Sequence, residues 1–451
     1  MKFWMTHMAT PQQIDEQVKL ERLQISQGIK QLHKNTKQLE QKAYASATIY
    51  GITSIDTLLP LVVEQIKETN NRIKEGKNGK SFKEINKHLI ELEPLAAASI
   101  ACKLIFDKVF SKKKGDNQIV IVMDSIGQAV EAELQMRHYE NNAPGLLQTL
   151  KNNYWHRSIG TKQKVVVIQT LMNRYNVKPW DSWGRSNRVK LGGWLLDCIM
   201  VASNWFYTEM KQEGRKRVNY LYPTPEFLEI RDQVMKDSEL FAPLAWPMLI
   251  EPNDWTPERQ GGYLLNEIMN GHDMVRRGDP SCIQGEDPYK FLNKIQKVGF
   301  KINLFTFNVA EWLEKKGRSV DKFIPIIDLP LPPKPFDIAT NKDSRKDYRR
   351  RSAEIMNINA NAFRRSCRTR MTMDAARRFR WKSRWFIPWS FDYRGRAYPI
   401  PAFLTPQDTD FGKSLIRFAD EAPMTPEAED WLAFQVATTY GLDKATMGER
   451  L

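Results

Sequence analysis

Apolar residues recur every three to four positions through most of the first two-thirds of the chain, the period of an amphipathic helix. Ile14, Val18, Ile25, Ile29, Leu32 and Leu39 stand on a polar background and predict a helix over Gln13–Ser46. A second is expected from Leu58 to Glu75, where Gly76-Lys77-Asn78-Gly79-Lys80 must break it. Ser81 followed three residues later by Glu84 has the form of a capping box, so another helix starts there and runs toward Pro94. Ile100, Leu104 and Val109 mark the next helix, and the spacing of Val122, Ile126, Val130 and Leu134 marks one more. Val165–Tyr175 and Leu191–Trp205 keep the helical period, although Ile119–Val122 and Val165–Ile168 taken alone also read as strands.

The pattern changes around Gly214. Trp205, Phe206 and Tyr207 before it, and Val218, Tyr220 and Tyr222 after it, are aromatic or β-branched, the composition of a β-hairpin. Its basic tip is read as Gly214-Arg215-Lys216-Arg217. Further on, Leu329–Pro335 packs four prolines into seven residues. Neither a helix nor a central strand accommodates that density, so an extended linker near a domain boundary is expected.

Composition bounds the class of protein. A length of 451 residues allows about three domains at roughly 150 residues each. Hydrophobic residues at 41% and charged residues at 27% exclude a largely disordered chain. The most apolar window, Ala43–Val63, holds Asp56 and is interrupted by Ser, Thr, Gly and Pro. No uninterrupted run reaches the roughly 18 apolar residues of a membrane helix, and no membrane partner is expected. No apolar stretch follows a basic start, so no secretory signal is read. Cys102, Cys198, Cys282 and Cys367 form no CxxC pair, which fits free thiols and a cytoplasmic location.

The net charge of +15 asks for an anionic partner. Most of it lies in Arg345–Arg384, where 14 Lys and Arg, 12 of them Arg, face only Asp347, Glu354 and Asp374. Ile355, Met356, Ile358, Ala362 and Phe363 give this stretch helical character. Guanidinium forks bind phosphate oxygens in pairs, so the stretch reads as a nucleic-acid surface or as a solvated helical face. The scarcity of acids within it favours the first reading.

Several motifs fail as catalytic sites. A phosphate loop ending in Gly79-Lys80-Ser81 would need glycine where Lys74 stands, and a strand rather than a helix before it. Lys74, Lys77 and Lys80 either reach DNA from that loop or are ordinary surface residues. His7, His33, His88, His138, His156 and His272 show no metal-ligand spacing and read as surface or capping residues. No GxSxG, no Cys-His nucleophile signature and no dinucleotide fingerprint is present. The stretch Arg384–Tyr398 is different: an apolar strand, a turn with Asp392-Tyr393-Arg394-Gly395-Arg396, then Tyr398. Arg394 and Arg396 beside Gly395 either grip phosphates and sugars or belong to a structural turn with an Asp–Arg pair.

The Asp-aromatic-Arg-Gly-Arg-x-Tyr of Asp392–Tyr398, preceded by Trp385-Phe386-Ile387-Pro388, resembles the signature of the single-subunit DNA-directed RNA polymerases of T-odd bacteriophages and mitochondria. Thr405-Pro406-Gln407 and Gly412-Lys413 continue the likeness. Upstream, Trp180–Trp183, Gly261-Gly262-Tyr263, Gln296–Trp312 and Leu329–Pro335 are similar to segments of those enzymes in the same order. The resemblance implies a mainly α fold with small β elements. A helical N-terminal promoter- and transcript-binding domain would cover 1–296, a thumb-like basic helical region 297–383, and the first part of the palm of a right-hand polymerase 384–451.

Under that resemblance, Lys74, Lys77 and Lys80 meet the promoter upstream, and the hairpin with Gly214, Arg215, Lys216 and Arg217 opens the bubble. Arg364, Arg365, Arg368, Arg377 and Arg378 form the thumb–palm junction, while Asp392, Arg394, Gly395, Arg396 and Tyr398 contact template and hybrid. The implied partners are double-stranded promoter DNA, the template strand, nascent RNA and NTPs, for an enzyme that is monomeric unless split. The family's metal-binding aspartates come later than the matched stretch. Mg²⁺ would therefore belong to the complete polymerase, with no catalytic residue or metal ligand expected within this chain, which alone should be inactive. A truncated polymerase, one half of a split enzyme and a non-catalytic nucleic-acid-binding protein all fit.

Overall fold

The structure is a computed structural model that describes residues 9–76, 92–145, 148, 152, 161–276, 285–326 and 328–451. Lys77, Lys80, the Ser81/Glu84 capping box, His7, His88, His156 and Cys282 lie outside the described residues. The chain folds as two compact units, one formed by Ile25–Leu244 and the other by Met1–Gln24 together with Ala245–Leu451.

The first unit is helical. It contains the later part of α1 (Pro11–Gln41), then α2 (Ile49–Lys74), α3 (Pro94–Val109), α4 (Ile119–Asn142), α5 (Thr161–Arg174) and α6 (Arg185–Ser203). The hairpin β1 (Phe206–Glu213) and β2 (Lys216–Pro223) follows, then α7 (Pro225–Glu239). At both ambiguous stretches the helical period prevails: Ile119–Val122 opens α4, and Val165–Ile168 lies inside α5. The first helix stops at Gln41, short of Ser46, because the chain turns through Ala43 at φ +56° into a 3-10 turn over Ala45–Ala47. The second begins well before Leu58, because the Thr48 hydroxyl accepts the Gly51 N–H at 3.0 Å and caps the helix there.

Tyr50, Leu58, Val62 and Ile66 of α2 are wholly buried and cluster with Ala97, Ala101, Ile105 and Phe106 of α3 and with Ile126 and Val130 of α4. Each large side chain buried this way contributes about 1.5–3 kcal/mol. Length and a mean hydropathy of 1.2 would let α2 pass for a membrane span, but this stripe makes it a core helix of the unit. Helices α4 and α6 touch backbone to backbone. A Cβ built on Gly127 would fall 2.1 Å from the Arg188 carbonyl oxygen, and one on Gly192 would fall 1.9 Å from that of Met123. Glu131 of α4 gathers the Trp180–Trp183 segment, accepting the Trp183 N–H at 2.6 Å and the Ser182 hydroxyl at 3.2 Å. Cys102 and Cys198 are buried free thiols, and desolvation pushes both up to about 12.

The second unit is also mainly helical and holds two small sheets. Its elements are the start of α1, α8 (Asn266–Met269), β3 (Val275–Arg276), α9 (Glu286–Ile295), β4 (Phe300–Ile302), α10 (Leu304–Lys316), α11 (Lys342–Arg365) and α12 (Cys367–Phe379). They continue with β5 (Trp389–Asp392), β6 (Ala397–Pro399), α13 (Asp410–Ser414), β7 (Ile416–Phe418), α14 (Pro426–Tyr440) and α15 (Met447–Arg450). Strand β5 lies between β3, to which it is parallel, and β6, to which it is antiparallel; β4 pairs antiparallel with β7. The proline-rich Leu329–Pro335 is neither helix nor strand, and Asn359 of α11 holds it by accepting the Leu329 N–H at 2.9 Å.

The start of α1 fixes the chain leading to this sheet. Gln17, Glu21 and Gln24 are buried. Gln17 accepts the Leu249 N–H (2.7 Å), Gln24 that of Trp246 (2.9 Å), and Glu21 those of Leu264 and Leu265 (3.1 and 2.7 Å). A buried polar side chain left without a partner would cost about 1–3 kcal/mol, so these bonds tie the segment to the start of α1. Burial raises the Glu21 carboxyl above the ordinary carboxylate range.

Candidate nucleic-acid interface

The turn between β5 and β6 is built around one carboxylate. Asp392 Oδ1 accepts the backbone N–H of Arg394 and of Arg396, both at 2.9 Å. The Asp392 N–H donates to the Arg396 carbonyl at 2.8 Å, and Gly395 takes φ +75°, the left-handed conformation that favours glycine. The structural pair left open by the sequence is therefore a carboxylate on backbone amides, not on a guanidinium. That leaves both arginine side chains outside the turn and exposed. Arg394 folds over Tyr393, donating from Nε to the phenol oxygen at 2.8 Å. Arg396 has no side-chain partner among the described residues.

Behind the turn the sheet is packed. Trp389 and Ser390 are buried. Trp255 donates its indole N–H to the Trp389 carbonyl at 3.0 Å, and its ring lies against Gly261, where a Cβ would fall 2.5 Å away. Gly262 takes φ +90°, and the Tyr263 hydroxyl donates to the Trp246 carbonyl at 2.6 Å. The Gly261-Gly262-Tyr263 run thus has a local physical cause. Arg276 of β3 donates to Ser390 Oγ at 2.9 Å and to the Pro399 carbonyl at 2.7 Å. Sequence reading missed Arg276, because a strand of two residues has no period to detect.

The basic stretch is less free than its composition implies. Acids are scarce only within it; others arrive from elsewhere in the same unit. Arg368 pairs with buried Asp408 at 2.7 Å, Arg380 with Glu311 at 3.4 Å, and Lys382 with Glu16 at 3.1 Å. Arg377 pairs with Glu314 and Glu311, and Arg384 with Asp420. The guanidinium of Arg378 lies 3.9 Å from the centre of the Trp246 ring, and burial pulls its pKa down. Arg364 donates to the Asn361 side chain at 2.6 Å. Arg365, Lys346 and Arg349 are exposed and have no side-chain partner among the described residues. Of the five arginines nominated for this region, Arg365 alone presents an uncommitted guanidinium among the described contacts. Helix α11 itself buries only Ser352.

The β1–β2 hairpin is anchored at its root. Phe206 lies 5.8 Å from Phe106 and 5.9 Å from Phe227, ring centre to ring centre. Leu221 is buried and exchanges two hydrogen bonds with Asn117, at 2.9 and 3.1 Å. The tip is shorter than expected. Only Gly214 and Arg215 form the loop, with Gly214 at φ +58°, while Lys216 and Arg217 belong to β2 opposite Glu213 and Gln212. All three basic residues are exposed. Lower on the hairpin, Lys211 donates to the Tyr222 hydroxyl at 2.8 Å, a bond that raises the lysine pKa. Lys74, the last residue of α2, is exposed as well. Among the described residues no group of three His, Cys, Asp or Glu side chains is placed to hold a metal ion.

Residues 16–276 match the family described as DNA-directed RNA polymerase N-terminal. That is more than half of the chain, and the chain belongs to this family. It is similar to the DNA-directed RNA polymerase of Enterobacteria phage T3, with 24% identity over 447 residues, covering 94% of this chain and 48% of the relative. It is similar to the T7 RNA polymerase of Escherichia phage T7, with 24% identity over 417 residues, 88% of this chain and 46% of the relative. The mitochondrial DNA-directed RNA polymerase of Schizosaccharomyces pombe is 27% identical over 256 residues, 54% of this chain and 22% of the relative. The chain spans about half the length of the phage relatives.

Proposed function

We propose that this chain is the promoter-, template- and hybrid-binding part of a single-subunit DNA-directed RNA polymerase, a nucleotidyltransferase that makes RNA from NTPs as a monomer in the cytoplasm. In this reading residues 1–296 bind promoter and early transcript, 297–383 act as a thumb, and 384–451 begin the palm. The observation that carries it is the Asp392 turn. Because the carboxylate is used up on the amides of Arg394 and Arg396, both guanidiniums stay on the exposed side of a backbone held in one conformation, that of Arg394 over Tyr393 and that of Arg396 without a side-chain partner among the described residues. Two neighbouring cations on a fixed turn suit the phosphates of a hybrid duplex, which position a protein without reading sequence.

Arg364 and Arg365 extend that surface, while Arg368, Arg377 and Arg378 hold its helices in place through their protein partners. Gly214–Arg217 would meet the upstream edge of the bubble with charge rather than an apolar wedge. Lys74, with Lys77 and Lys80, would meet the duplex further upstream. Two-metal phosphoryl transfer needs carboxylates that bridge Mg²⁺ ions to the reacting oxygens. In this reading the carboxylates that would hold Mg²⁺ belong to the rest of the polymerase.

Titrating an RNA–DNA hybrid at several salt concentrations tests the reading. Arg396→Ala should weaken binding by about tenfold and reduce the log–log salt slope by about one. Lys77→Ala should leave hybrid binding nearly unchanged and weaken promoter duplex. Equal losses from the two substitutions on the hybrid would overturn the assignment of separate surfaces.

A further inference from the structure

We infer that Arg276 is a positioning residue for the Asp392–Arg396 turn, acting on nucleic acid only through the hairpin it holds; the inference rests on the turn being a hybrid contact. Strand β3 pairs parallel with β5 so that Val275 is level with Phe391 and Arg276 with Asp392. One guanidinium then spans both strands that carry the turn. Its Nε donates to Ser390 Oγ on β5 at 2.9 Å, and a terminal nitrogen donates to the Pro399 carbonyl on β6 at 2.7 Å. The ring of Tyr398, which belongs to the same motif, lies 5.6 Å from the guanidinium carbon.

Position and chemistry make this contact specific. Phe391 stands opposite Ala397 next to the turn, then Ser390 opposite Tyr398 and Trp389 opposite Pro399, so Arg276 bonds one residue from each of the two rungs behind the first. Trp389 and Pro399 form a non-hydrogen-bonded pair with the edge strand β6, a place that tolerates proline, so the ladder itself puts no bond on the Pro399 carbonyl and Arg276 supplies one. A planar fork reaches two acceptors on two strands at once; an ammonium is a point donor. Burial lowers the pKa of Arg276, the charge of Asp392 on the neighbouring strand partly offsets this, and no carboxylate comes within ion-pair distance among the described residues. A desolvated cation is costly unless it is hydrogen-bonded, and the bonds that hold this one go to the two strands of the hairpin.

The test uses the full chain and an RNA–DNA hybrid, with Arg276→Met, Arg276→Lys, Arg396→Ala and the Arg276→Met/Arg396→Ala double variant. Arg276→Met should weaken hybrid binding by about tenfold, the scale of lost hydrogen bonds to a charged group, with the salt slope unchanged. The double variant should bind within about twofold of Arg396→Ala alone, because both changes disable one turn. Arg276→Lys should recover part of the affinity. A fluorine label on the Tyr398 ring should shift in Arg276→Met and move back toward its original position in Arg276→Lys. Fully additive losses, or a slope reduced by about one in Arg276→Met, would overturn the inference. If Arg396→Ala leaves hybrid affinity unchanged, the turn is not a hybrid contact. The fluorine shift then still reports, separately, whether Arg276 holds the hairpin.

Discussion

In the β1–β2 hairpin only Phe206 of the first strand is buried, and the remaining seven residues of that strand are exposed. In the β5–β6 hairpin Trp389 and Ser390 are buried, and the turn residues alone reach solvent as a group. Both present arginine beside a glycine of positive φ, yet they are held differently. The first relies on its own ladder and on a root of Phe206, Leu221 and Asn117. The second is short, and its turn is held from within by Asp392 and from behind by Arg276 and Trp255. The difference teaches that an extended arm and a braced turn can share a similar tip. What separates them is the number of side chains outside the tip that determine its position.

The largest effect should come from the support of the second hairpin. Trp389→Ala removes an indole that is 5% exposed and should cost about 3–5 kcal/mol, measured by urea denaturation of the full chain. A loss below about 1 kcal/mol would mean the β5–β6 hairpin is no better anchored than the other.

Next is the pH response of the unit that carries it. The folded state holds the Glu21 proton more tightly than the unfolded chain, so this group's stabilisation is present at low pH and lost as pH rises through its raised pKa. The slope is at most about 1.4 kcal/mol per pH unit for one proton. Glu21→Gln should flatten the pH dependence of the denaturation midpoint above the usual carboxylate range, and parallel curves for the two proteins would refute the assignment.

A matched pair sharpens the comparison further. A Cβ on Gly214 or on Gly395 would meet nothing within 4 Å, so each Gly→Ala change costs only the left-handed backbone term, about 1–2 kcal/mol. The two stability losses should be alike, but hybrid binding should fall only for Gly395→Ala. Similar losses of binding in both would erase the functional distinction. The smallest effect belongs to the arm: Met210 on β1 is 59% exposed, and Met210→Ala should change stability by less than about 0.5 kcal/mol by the same denaturation assay.

Much of this was legible before any coordinates. The four-residue spacing from Val122 to Leu134 became α4, the aromatic flanks of Gly214 became a hairpin, and Asp392–Tyr398 became a strand, turn and strand. Helix ends were less legible, since the early start of α2 rests on one Thr48 bond. The ion pairs of the basic stretch were not legible, because Glu311, Asp408 and Asp420 lie far from their arginines in sequence. The Gln17, Glu21 and Gln24 ladder did carry a signal, polar residues at spacings of four and three on one helix face, but nothing named the amides they would meet.

By itself the sequence determined which segments coil and where the chain turns, and it singled out the short motif Asp392–Tyr398. Those properties depend on bonds between residues a few positions apart. Only the tertiary structure decided which arginines are already paired, which carboxylate caps a turn and which half-buried guanidinium stands behind it. Hydrogen bonds and ion pairs act over a few ångströms. A partner more than a hundred residues away, as Ser390 is from Arg276, is therefore specified by the fold and by no local pattern.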